Sequence, residues 1–113
     1  MNNYIVNKPW GHEIRFAVNE KYIGKILYIA KGKRLSRQYH EQKDETIYVL
    51  DGTAIIELDG RTHTLYQGES LRIHPGQVHR FCAPQETHVK LIEVSTPEIY
   101  DVVRVEDDYG RSP

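Results

Sequence analysis

Four turn dipeptides, Asp51-Gly52, Asp59-Gly60, Gln67-Gly68 and Pro75-Gly76, cut the middle of the chain into segments too short for ordinary helices. The segments between and around them are rich in β-branched and aromatic residues. Lys25 to Lys31, Thr46 to Leu50, Thr53 to Leu58, Arg61 to Tyr66, Ser70 to His74 and His88 to Val94 read as strands. No segment keeps a helical period over three turns. Short strands with a turn signal every eight to twelve residues or so predict an all-β sandwich or barrel.

At 113 residues the chain is the size of one domain. The expected layout is an N-terminal arm with the first strands over 1–24, a barrel core over 25–94 and a tail over 95–113, loose only in its last few residues. Fifteen basic and 16 acidic residues give a net charge of -1, which leaves no broad basic footprint for nucleic acid or anionic lipid. The single cysteine, Cys82, excludes an internal disulfide and reads as a packing residue on a strand. No basic and apolar leader opens the chain, and no run approaches the ~20 apolar residues of a membrane helix. The expectation is a cytoplasmic protein with a small-molecule ligand.

Strand parity points to a site. A two-residue hairpin at Asp51-Gly52 would set Val49 opposite Ala54, Ile47 opposite Ile56 and Glu45 opposite Leu58. Glu45 is the only polar residue on that face, and a carboxylate aimed into an apolar barrel needs a positive partner or a metal. The opposite face, Tyr48, Leu50 and Ile55, is too apolar for open water, so a second layer or a partner subunit is expected to cover it, and a homodimer is predicted. Trp10, in Lys8-Pro9-Trp10-Gly11, is read as a cap on the core. His63 receives no role, because a simple Asp59-Gly60 turn points it inward and a bulge points it outward.

The spacings around Glu45 resemble the cupin family. Gly32, Gln38, His40, Glu45 and Gly52 keep the first cupin motif, with glutamine in place of its first histidine. Gly68, Gly76 and His79 keep the second, with His74 and Ala83 replacing its proline and asparagine. The glutamine, the Lys8-Pro9-Trp10-Gly11-His12-Glu13 opening and the tail Val103-Arg104-Val105-Glu106-Asp107-Asp108-Tyr109-Gly110-Arg111 are similar to the C-terminal cupin of type II phosphomannose isomerases.

That resemblance implies a double-stranded β-helix barrel and one divalent metal (Zn, Mn, Co, Ni or Fe) held by Gln38, His40, Glu45 and His79. It implies aldose-ketose isomerisation of a sugar phosphate, most simply mannose 6-phosphate to fructose 6-phosphate. In such a reaction the metal stabilises an enediolate while a base moves a proton between C1 and C2. Lys25 is the catalytic candidate, and Arg34, Lys43, Arg104 and Arg111 are the substrate-binding candidates.

The chain also departs from the family. Glu41-Gln42-Lys43 stands where the family usually has His-His-Arg, and Thr46 where it has a histidine. The alternatives are therefore a non-catalytic sugar-binding or regulatory cupin that keeps the metal site, or another cupin enzyme, an epimerase or a dioxygenase. Gln38 counts against a dioxygenase, which usually uses three histidines and a glutamate.

Overall fold

The computed structural model describes residues 4–111, and Met1 to Asn3, Ser112 and Pro113 lie outside them, including the end of the tail expected to be loose. Alternating apolar residues build eleven strands among the described residues. They are β1 (Tyr4–Lys8), β2 (Gly11–Val18), β3 (Ile23–Ile29), β4 (Arg37–Tyr39), β5 (Glu45–Asp51), β6 (Ala54–Leu58), β7 (Arg61–Leu65), β8 (Ser70–Ile73), β9 (His79–Cys82), β10 (Val89–Ser95) and β11 (Val103–Glu106). The six expected strands are all present within two residues of their predicted ends. The N-terminal stretch adds the β1–β2 hairpin, and the tail adds β11.

The strands form two antiparallel sheets, ordered β1-β2-β3-β10-β5-β8 and β11-β4-β9-β6-β7. Their inner faces enclose Trp10, Leu27, Ile29, Ile47, Val49, Ile56, Phe81 and Leu91, all nearly inaccessible to water, so Trp10 does cap the core. Cys82 lies half-buried on β9, and burial pushes its thiol up to about 11, as an inert packing residue requires. No helix among the described residues is long and apolar enough to cross a membrane.

Two identical dipeptides behave differently. Asp59 and Gly60 both take positive φ (48° and 80°) and join β6 to β7 as a two-residue hairpin, with Leu58 paired to Arg61 and Ile56 to His63. Asp51-Gly52 does not make the expected hairpin. β5 pairs with β10 and β8, while β6 pairs with β7 and β9 in the other sheet, so the chain turns a corner between sheets there. Only Gly52 of that dipeptide has positive φ (89°), and a Cβ on it would meet the His88 carbonyl oxygen at 2.8 Å.

The correction moves pairings, not faces. Glu45, Ile47 and Val49 still point inward, as do Ala54 and Ile56, but from opposite sheets. Tyr48 and Leu50 consequently lie exposed on the outside of the larger sheet, while Ile55 lies half-buried on the outside of the smaller, so they do not share one face as the hairpin would require. On the larger sheet Tyr48 continues a cross-strand row of Ile5, Ile14, Ile26 and Ile92.

Candidate functional site

His40 follows β4 directly, Glu45 opens β5 and His79 opens β9, so three potential ligands from two sheets meet at one end of the barrel. All three are buried. His40 Nε2 lies 3.1 Å from Glu45 Oε1, and His79 Nε2 lies 3.0 Å from the same oxygen. Each ring has its other nitrogen occupied, since His40 Nδ1–H donates to the Asp101 carbonyl and His79 Nδ1–H to the Gln77 carbonyl at 2.9 Å. That pattern turns both Nε2 atoms toward the carboxylate.

Atoms of acceptor type then face one another in a dry place. His79 Nε2 and Glu45 Oε2 have no hydrogen-bond partner among the described residues. Burial alone would raise the Glu45 carboxyl, but the two histidines and Lys43 hold it well below the ordinary glutamate range. The arrangement demands positive charge at its centre, as protons on the rings or as one cation, and the three ligand atoms lie within 4.8 Å of one another. Two imidazoles and a carboxylate fit Zn, Mn, Co, Ni or Fe. Gln38 pairs with His79 across β4 and β9, so its amide lies on the same face, where its Oε1 accepts the Ser36 hydroxyl at 2.6 Å.

Beside the cluster is a cavity of about 310 Å³ that His40 and Gln38 help to line. Its wall carries Lys8, Arg15, Lys25, Lys43, Arg104 and Arg111 against only two carboxylates, Glu13 and Glu93, with Trp10, Leu27 and Leu35 supplying apolar surface. The interior charges alternate in sign. Lys43 Nζ lies 3.5 Å from Glu45 Oε2 and 3.1 Å from Glu93, Lys25 Nζ lies 3.9 Å from Glu93 and 3.4 Å from Glu13, and Glu13 bonds Arg15 at 2.7 Å. Burial would lower the Lys43 ammonium, yet Glu93 and Glu45 raise it above its ordinary range. Burial and the adjacent Glu45 charge push Glu93 the other way for a carboxyl, upward.

The residues expected from sequence fall into three groups. Gln38, His40, Glu45 and His79 are brought together. Lys25, Lys43, Arg104 and Arg111 line the cavity, Lys43 from deep inside rather than at the mouth, and Arg111 with its guanidinium bonded to Asp107 at 2.8 and 3.0 Å. Arg34 is not among the lining residues, because Asp108 of the tail binds its guanidinium at 2.6 and 3.1 Å. Lys8, Glu13, Arg15 and Glu93 were not anticipated as site residues. Glu93 had a readable signal, since it shares inward parity with Val89 and Leu91 just as Glu45 does with Ile47 and Val49.

Two facing antiparallel sheets, with two histidines and a carboxylate gathered at one end, define a cupin barrel. KdgF from Halomonas sp. shares the fold with a TM-score of 0.77 at 20% identity, over 89% of this chain and 90% of that one. A sugar phosphate isomerase from a cupin superfamily of Silicibacter pomeroyi shares it with a TM-score of 0.69 at 18% identity, over 75% and 58% of the two chains. The chain belongs to the mannose-6-phosphate isomerase C-terminal family, whose model matches residues 2–107. Mannose-1-phosphate guanylyltransferase ManC of Salmonella typhimurium is 37% identical over 109 residues, which make up 94% of this chain and 23% of that protein. The chain thus spans about a quarter of the length of the curated relatives it matches.

Proposed function

We propose that the chain is a metal-dependent sugar-phosphate isomerase, most simply one that interconverts mannose 6-phosphate and fructose 6-phosphate. The observation that carries this reading is the convergence of His40 Nε2 and His79 Nε2 on one oxygen of Glu45 beside a cation-lined cavity. His40, Glu45 and His79, with the Gln38 amide beside them, would hold the cation. Once bound, it supplies Lewis-acid stabilisation of negative charge on the C1 and C2 oxygens of an open-chain sugar.

The remaining work falls to side chains. Burial and the positive charges of Lys25, Arg15 and Arg111 depress the Lys8 ammonium despite Glu13, and burial with Arg111 nearby depresses Arg104. An anionic phosphate among these groups relieves that crowding, and the arginines can bind it through charge-assisted hydrogen bonds. Trp10, Leu27 and Leu35 keep water from one side of the sugar. Lys25, whose Nζ lies 3.4 Å from Glu13 and 3.9 Å from Glu93, is the residue we assign to the proton transfer between the two carbons, a step that needs its amine form.

Metal-loaded protein incubated with mannose 6-phosphate in deuterated water should incorporate deuterium at C2, read by NMR. Lys25→Met should keep its metal and lose the exchange. Absence of exchange with every hexose and pentose phosphate tried would leave the second reading, a non-catalytic sugar-phosphate-binding cupin. One observation favours that reading: Glu93 engages the ammonium groups of both Lys25 and Lys43.

A further inference from the structure

The segment between β10 and β11 is tied to the His40–Glu45 stretch at two points, Thr96, which exchanges hydrogen bonds with Asp44 at 3.0 Å, and Asp101, which reaches His40 itself. The main-chain carbonyl of Asp101 accepts the Nδ1–H of His40. Its carboxylate accepts three consecutive backbone N–H groups, from Glu41 at 3.0 Å, Gln42 at 2.7 Å and Lys43 at 2.9 Å. Those residues belong to the turn that joins His40 to Glu45. Asp101 therefore orients one ligand ring and also sets the shape of the link to the next ligand. The opposite side of His40 is tied as well, since Gly76 N–H donates to its carbonyl at 2.7 Å.

The same segment forms part of the cavity wall through Ile99, Tyr100 and Val102, and Tyr100 is 86% exposed. A ligand that presses on this segment must press on Asp101. Lys43, whose N–H Asp101 holds, reaches Glu45 and Glu93 with its ammonium, so the turn also carries the charge that faces the second oxygen of Glu45.

We infer that Asp101 is a positioning residue that couples occupancy of the sugar cavity to the geometry of the cation site, through the His40 ring and the Glu41–Lys43 turn. The inference rests on the cation-binding reading above. Co2+ titration followed by its visible absorption tests both. Wild-type protein should bind Co2+, and saturating mannose 6-phosphate should tighten that binding several-fold.

Asp101→Ala should weaken Co2+ binding tenfold or more, in the range of outer-shell ligands of metal sites, and should abolish the effect of the sugar phosphate. Asp108→Asn, which loosens the same tail at its Arg34 and Arg80 bonds, should leave Co2+ affinity unchanged. If Asp101→Ala does not fold, Asp101→Asn replaces it, since its single amide oxygen can serve the Glu41 N–H or the Gln42 and Lys43 N–H groups, but not all three. In the wild type, Co2+ should slow amide exchange at Glu41, Gln42 and Lys43. A folded variant with unaltered Co2+ affinity and coupling, or amides that exchange equally with and without Co2+, overturns the role of Asp101 alone. Wild-type protein that binds no Co2+ overturns the cation reading and the inference with it.

Discussion

The His40–Glu45–His79 cluster and the row of charges beside it, buried at Lys43, Glu93, Lys25 and Glu13, meet the cost of burial in opposite ways. Along Lys43, Glu93, Lys25, Glu13 and Arg15 each charge stands beside one of opposite sign, so this row within the wall is paired inside the protein. His40, Glu45 and His79 instead aim two ring nitrogens at one carboxylate oxygen and leave His79 Nε2 and Glu45 Oε2 without hydrogen bonds. The difference teaches that burial of charge does not by itself identify a binding centre. What sets the cluster apart is that two ring nitrogens converge on one carboxylate oxygen, with buried polar atoms left over.

The most damaging test of this contrast is His79→Ala. It should reduce bound metal, measured by elemental analysis, at least tenfold while the β-sheet circular dichroism persists, and deuterium exchange should vanish with it. Retained metal would remove the distinction.

Next in size is Glu93→Ala, which strips Lys43 and Lys25 of their shared carboxylate and should destabilise the fold by about 3–5 kcal/mol in urea unfolding. A loss below about 1 kcal/mol would show that the wall is not held by its own pairs.

The smallest effect concerns Asp107, whose bonds from Arg111 hold its carboxyl at about 2. Because that value lies below the unfolded pKa of about 3.9, the pair stabilises the tail fully above pH 4 or so and loses its contribution as pH falls through about 2. In Arg111→Met the Asp107 carboxyl, followed by NMR, should titrate near its unfolded value.

How far the sequence can be read depends on whether a property belongs to one strand or to two. Parity belongs to one. Glu45 was expected to face inward with Ile47 and Val49 and does so, even though the hairpin used to argue it does not form. Pairing belongs to two, and the Asp-Gly dipeptide cannot tell a hairpin within a sheet from a corner between sheets. Asp59-Gly60 and Asp51-Gly52 have the same residues and different partners. The distant cluster residue His79 was legible through a family motif, not through periodicity. Asp101 was not legible, because it acts through a carbonyl and through main-chain N–H groups some sixty residues away. Arg34 was misplaced for a related reason. Its neighbour Asp108 comes from the far end of the chain, and that end also fastens Arg80 and seats the Tyr109 hydroxyl on the Arg34 carbonyl.

The corner at Gly52 has a consequence for how the barrel assembles. A hairpin there would have given the site strand a neighbour it could find within a few residues. The corner denies β5 that shortcut, and its partners are β8, some twenty residues on, and β10, some forty residues on. Loop-closure entropy must therefore be met before any contact rewards it, which for β-rich domains places folding in the range of roughly milliseconds to seconds. Glu45 sits on that strand, so the His40–Glu45–His79 cluster is completed only after long-range pairing, and slowed closure of β5 against β10 would delay the appearance of the cluster more than that of the β6–β7 hairpin.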